Sequence, residues 1–263
     1  MRNILLVINY IGTNYHGWQI QENANTVQAE LQKALKTVLG DFESLIGCSR
    51  TDAGAHAHMY CCTVRTENRM NIFKLQRALN STLPLDIAVK HISVVDKDFH
   101  PRYNCTSKTY AYHICNAPVR NPFCEERALH YRPKIDEEKL NKIAQDFVGT
   151  HDFSAFCGRK TSVEDKTRTI YDVKIERKGD IVVIFITGDG FLYNMVRIMV
   201  GTLLFINEGK IAEDAIPKIF KSKDRKSAGK TVPAYGLYLY NVDYNGCCNG
   251  DENGSTQKKE TKI

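Results

Sequence analysis

The stretch ESLIGCSRTDAGAHAHMYCCTVR (residues 43–65) decides how this chain folds. Its ends, 43–49 and 57–65, are apolar runs of strand length, while the polar and small residues of 50–56 can continue neither and read as a sharp loop. Upstream, 3–10 is β-like, and a loop rich in Gly, Asn and His follows from Gly12 to Gly17. Thr26 then precedes Val27, Leu31, Ala34, Leu35 and Val38, the spacing of an amphipathic helix that Thr26 would cap and Gly40 would end. Downstream, Ile72, Leu75 and Leu79 predict a helix over 71–81, and 86–96 alternates like a strand. The order strand–helix–strand–strand–helix–strand is a split βαβ unit.

A similar order returns after residue 105. Strand-like 106–116 leads to a helix at 136–148, then to strands 169–178 and 181–188 joined at Lys178-Gly179-Asp180. Helices at 191–207 and 211–220, a polar stretch from Lys221 to Lys230 and a last strand at 236–243 complete the pattern. The expected fold is α+β: two split-βαβ halves, 1–105 and 106–244, sharing a mostly antiparallel sheet with a central cleft. Residues 245–263 are polar and without periodicity, and are expected to be a disordered tail.

Of 263 residues, 43% are hydrophobic and 25% charged, enough to build a core. The net charge of +6 suits a polyanionic partner without requiring one. The nine cysteines are odd in number and include no C-x-x-C, so neither a disulfide framework nor a zinc ribbon is indicated. Reduced, mostly buried thiols fit a cytoplasmic protein. The apolar run Ile4–Ile8 is too short for a signal segment, and Met199–Ile206, interrupted by Gly201 and Thr202, is too short to span a bilayer. No membrane association is expected.

Chemistry concentrates in SRTDAGAHAH (49–58). A carboxylate, Asp52, flanked by Arg50, small residues and Gly54 suits a reactive loop that a substrate can approach; a turn in which Asp52 caps a backbone N–H would look the same. His56 and His58 suggest a metal, but a lone H-x-H needs further ligands, which His16, His100 or His151 would supply only if the fold gathered them. In KTYAY (108–112), Tyr110 and Tyr112 share a strand face beside Lys108, an arrangement that can stack a base and meet a phosphate, or simply pack in the core. In GDGFLYNMVRIMVG (188–201) and the Thr202 that follows it, Phe191, Met195, Ile198, Met199 and Thr202 form a buried stripe, and Arg197 lies in the same apolar helix. A buried arginine needs a partner, and Asp52 is a suitable one, since a guanidinium favours the charged carboxylate a nucleophile requires. FHPR (99–102) adds His100 and Arg102. Arg159, Lys160, Lys166 and Arg168, with Lys221, Lys223, Arg225, Lys226 and Lys230, form two basic runs.

Together with YIGTNYHGWQ (10–19), HDFSAF (151–156) and PAYGLYL (233–239), these motifs resemble the TruA-type tRNA pseudouridine synthases, in family order across residues 4–244. The resemblance implies a homodimer that carries tRNA across both subunits and uses no metal or organic cofactor. It implies conversion of uridine to pseudouridine at tRNA positions 38, 39 and 40. By the same resemblance Asp52 is the essential aspartate, Tyr110 packs on the target base, Arg197 pairs with the aspartate and Arg50 supports the extruded nucleotide. Cys48 and Ser49 stand where glycine is common, Ala55 where valine is, and Ile198 where a polar residue is frequent. These departures leave ribosomal RNA open as a target. A metal-dependent hydrolase and a non-catalytic RNA-binding module are the competing readings.

Overall fold

Four residues of the first strand, Ile4, Leu5, Leu6 and Ile8, are almost wholly buried although they point to opposite faces. Such a strand needs neighbours on both edges and cover on both faces. The structure, a computed structural model describing residues 1–159 and 163–244, supplies them. β1 (Arg2–Tyr10) pairs antiparallel with β3 (His56–Thr66) on one side and β4 (Ile87–Val95) on the other. The remaining strands are β2 (Ser44–Gly47), β5 (Ser107–Cys115), β6 (Leu129–His130), β7 (Gly149–Asp152), β8 (Thr167–Lys178), β9 (Ile181–Gly188) and β10 (Leu237–Asp243). All join one sheet, ordered β4-β1-β3-β10-β5-β9-β8-β7, with β2 on β3 and β6 on β5. Two pairings are parallel, β10 with β3 and β6 with β5; the others are antiparallel. The last strand therefore sits mid-sheet, between β3 and β5.

The helices are α1 (Val27–Leu39), α2 (Ile72–Thr82), α3 (Glu137–Ala144), α4 (Met195–Asn207) and α5 (Ala215–Ser222). Thr26 caps α1 by accepting from the Ala29 N–H, and Gly40 ends it at φ +76°. α4 begins at 195 rather than 191, because Asn194 takes a left-handed φ of 61° and residues 192–195 close a turn first. α5 lies at 215–222 rather than 211–220. Pro217 lacks an N–H and would break a helix begun at 211, whereas from Ala215 it falls in the first turn. β6 and β7, of two and four residues, are too short to show a period and were not expected. α4 is apolar nearly all round because it is buried nearly all round, from Met195 and Val196 to Leu204 and Ile206, with Arg197, Phe205 and Asn207 half-buried. Among the described residues no helix is long and apolar enough to cross a membrane. Lys160 and the expected disordered tail at 245–263 lie outside the described residues.

Candidate active site

The loop between β2 and β3 is fixed along its length. Cys48 N–H donates to Cys61 O (2.9 Å), the Tyr60 hydroxyl to Ser49 O (2.5 Å) and Gly54 N–H to Tyr15 O (3.0 Å). Tyr10 and Thr51 share a hydroxyl hydrogen bond of 2.9 Å, and Ala55 N–H closes a turn on Asp52 O (3.1 Å). Trp18 stacks on Tyr60 beneath, with ring centroids 4.1 Å apart. The Gly12–Gly17 loop presses on the other side. A Cβ at Gly12 would stand 1.8 Å from Ala55 O, and one at Gly17 (φ +83°) 2.2 Å from Thr51 O, so only glycine fits at either position.

From this frame Asp52 Oδ2 accepts from Arg197 Nη1 at 2.7 Å. The two side chains remain 21% and 17% exposed, shielded yet reachable from solvent. Arg197 is held on every side. Nη1 also donates to Asn194 Oδ1 (2.8 Å), Nε donates to Val232 O (2.7 Å), and Val232 N–H returns to Arg197 O (3.3 Å). An arginine clamped this way presents its fork in one direction, which fixes the carboxylate in turn.

Tyr110 lies on β5 with its ring edge-on to Phe191 (5.0 Å) and its hydroxyl 3.4 Å from Ser49 Oγ. Burial raises its phenol well above the ordinary range; the Ser49 hydrogen bond opposes this and the Asp52 charge reinforces it, so the group stays neutral. Lys108, half-buried on the same strand face, lies close enough to Cys48 to oppose the burial that pushes that thiol up to about 12. Cys48 is accordingly packing rather than a nucleophile. Tyr112, on the same face as Tyr110, is fully buried and donates to Pro233 O (2.8 Å), a structural role. Arg50 is exposed beside Asp52.

His100 and Arg102 occupy a separate turn. His100 Nδ1 accepts from the N–H groups of Arg102 (3.1 Å) and Tyr103 (3.3 Å), so the ring braces its own loop, while Arg102 and Tyr103 are exposed. His16, His100 and His151 are not gathered with His56 and His58 into a metal site among the described residues. His56 Nδ1 accepts from Gly12 N–H (2.9 Å), and Nε2 donates to Tyr235 O (2.8 Å) and Glu126 O (3.0 Å), which leaves no lone pair for a metal. His151 stacks on Phe220. Among the described residues no three His, Cys, Asp or Glu side chains are grouped to hold a metal ion.

The two basic runs do converge. Asp152, paired on the sheet with Thr167 between Lys166 and Arg168, accepts from Lys223 Nζ of the second run at 2.8 Å and from the Ser154 N–H and hydroxyl, and these partners hold its carboxyl down to about 2. Arg159 stands near enough to Arg225 to add to the burial that lowers the latter's affinity for its proton. The sequence reading missed Asn194, the two glycines of the 12–17 loop and the double tie of His56. Asn three residues before Arg at a helix start was the one signal present, and it carries meaning only once the left-handed turn is known.

A carboxylate fixed by a guanidinium, faced by a neutral tyrosine and bordered by cationic surface, suits an isomerase that works on RNA. The sequence model of the family described as tRNA pseudouridine synthase matches residues 6–104 and 143–245, and the chain belongs to that family. The tRNA pseudouridine synthase A of Acetivibrio thermocellus is 48% identical over 93% of this chain and all of its own length. Those of Ruminiclostridium cellulolyticum and Clostridium kluyveri are 44% and 43% identical with the same coverage. The protein is an isomerase that forms pseudouridine in tRNA.

Proposed function

We propose that the chain modifies the anticodon stem-loop, at tRNA positions 38, 39 and 40, with Asp52 as the carboxylate that starts the reaction. The observation that carries this reading is the ion pair between Asp52 and Arg197 at 2.7 Å, on a loop that is otherwise immobilised. The reaction breaks the C1′–N1 bond of uridine, turns the uracil and forms C1′–C5; a proton leaves C5 and N1 gains one, so atoms and electrons balance within the nucleotide. A base inside a stem is out of reach until flipped, at a cost of about a few kcal/mol. Tyr110 would pack on the flipped base, Arg50 would support the displaced nucleotide, and Lys108, His100 and Arg102 would meet the RNA around it. The converged basic runs supply phosphate contacts that offset the flipping cost. In this reading the enzyme is a cytoplasmic homodimer and needs no cofactor. The test is pseudouridine mapping on tRNA transcripts in which uridines 38, 39 and 40 are replaced singly by cytidine. Loss of signal at each replaced position is expected. Conversion confined to other uridines would overturn the assignment.

A further inference from the structure

Asp52 and Arg197 stand 145 residues apart in sequence, so their geometry depends on how the loop of residues 48–55 is registered against α4. Residues 229–236 run between the two as a strap. On α4 the strap is seated at Gly201, where an added Cβ would lie 1.8 Å from Lys230 O, and Gly229 N–H donates to Thr202 Oγ1 (2.9 Å). Val232 exchanges two hydrogen bonds with Arg197, Nε to O at 2.7 Å and N–H to O at 3.3 Å. Two residues past the Pro233 carbonyl that Tyr112 engages, Tyr235 O accepts from His56 Nε2 at 2.8 Å. His56 is four residues beyond Asp52 and buried to 1% exposure. Its other nitrogen accepts from Gly12 N–H, and the loop of Gly12 packs directly on Ala55 and Thr51. Carbonyls only accept, so Nε2 carries the proton and Nδ1 offers a lone pair, and both are used.

We propose that His56 is a positioning residue for the Asp52–Arg197 pair: it ties the aspartate loop to the strap that holds the arginine. The inference rests on the reading of Asp52 as the catalytic carboxylate. A shift of about 1 Å in a reacting group lowers a rate by roughly 100-fold, so a tie remote from the substrate can govern turnover without touching it.

His56→Gln and His56→Asn separate the Nε2 contacts, to Tyr235 O and the longer one to Glu126 O, from the Nδ1 bond. Glutamine places an N–H where Nε2 stands and keeps the tie to Tyr235 O; asparagine places an oxygen where Nδ1 stands and keeps only the bond from Gly12. Single-turnover conversion of a tRNA transcript, tRNA affinity and Tm are measured for both, with Leu79→Ala in α2 as a destabilised control and Asp52→Asn alongside. His56→Gln is expected to stay within about 3-fold of wild type, and His56→Asn to lose roughly 10- to 100-fold in rate with unchanged affinity, beyond any loss in Leu79→Ala. Equal rates in the two His56 variants, or a loss that only follows Tm, would overturn the proposal. If His56→Asn does not fold, imidazole nitrogen NMR of the wild type decides: a neutral ring protonated at Nε2 at pH 7 is required, and any other form defeats it. Turnover by Asp52→Asn would defeat the underlying reading instead, whatever the His56 variants do.

Discussion

Arg197 makes three side-chain hydrogen bonds in three directions, to Asp52, Asn194 and Val232, and the planar guanidinium is what allows all three. A lysine has the charge without the fork. Arg197→Lys is therefore expected to lower single-turnover conversion by about 100-fold and stability by on the order of 2 kcal/mol, read by rapid-quench mapping and by urea melts. Asn194→Ala should act in the same direction but less strongly, roughly 10-fold in rate, since it frees one side of the guanidinium and leaves the ion pair. A wild-type rate in Arg197→Lys would show that the fork is not required. That Arg197 needs a partner was legible from residues alone, since an arginine in an apolar helix needs a carboxylate or another hydrogen-bond partner; that the partner is Asp52 rather than some other acid followed from the family resemblance, and the structure shows the contact. Asn194 was not legible, because its use depends on a left-handed backbone at the helix start that tertiary contacts impose.

Between elements, close approach does the positioning. The 12–17 loop reads in sequence as a polar connection, yet Gly12 and Gly17 are where backbone meets backbone beneath Asp52. Gly17→Ala must both strain a φ of +83° and displace Thr51 O, so a loss of about 2–4 kcal/mol in stability and a fall in turnover are expected together, measured by thermal melts and steady-state conversion. Retention of wild-type Tm would mean that the loops can separate freely. Long periodic elements such as α1 and β8–β9 were readable because burial of one face writes itself into the spacing. β7, a glycine and three polar residues paired along one edge to β8, has no such face and is specified by its partner. α5 shows a subtler limit: its apolar spacing suggested an earlier start, and the covalent constraint of Pro217 moved it.

For the whole molecule, charge and protonation set what solution conditions should do. Arg159, Lys221, Lys223, Lys226 and Lys230 are exposed on the two basic runs, so Lys226→Glu should weaken tRNA binding several-fold and reduce the slope of log affinity against log salt by about 1–2, while single-turnover conversion at saturating enzyme stays unchanged. Acid should act through the shielded imidazoles of His56, which is buried, and His113, which is half-buried. Burial depresses His113 to about 4, and His56 in the same direction. An unfolded histidine takes its proton near 6.5, so between about 6.5 and 4 the unfolded chain binds more protons than the folded one. Stability is then complete above pH 6.5 and falls as pH falls through that window. Tm should decline accordingly, and His113→Asn should flatten the decline. The sheet order, with the last strand between β3 and β5, could not be read from sequence because strand pairing over long separations leaves no local trace. At this scale the enzyme meets a whole tRNA, and one measurement tests the account most directly: mapping of pseudouridine in a tRNA transcript incubated with wild type and with Asp52→Asn, alongside their binding affinities. The account predicts conversion by wild type alone with equal tRNA binding by both; conversion by Asp52→Asn at a comparable rate would contradict it.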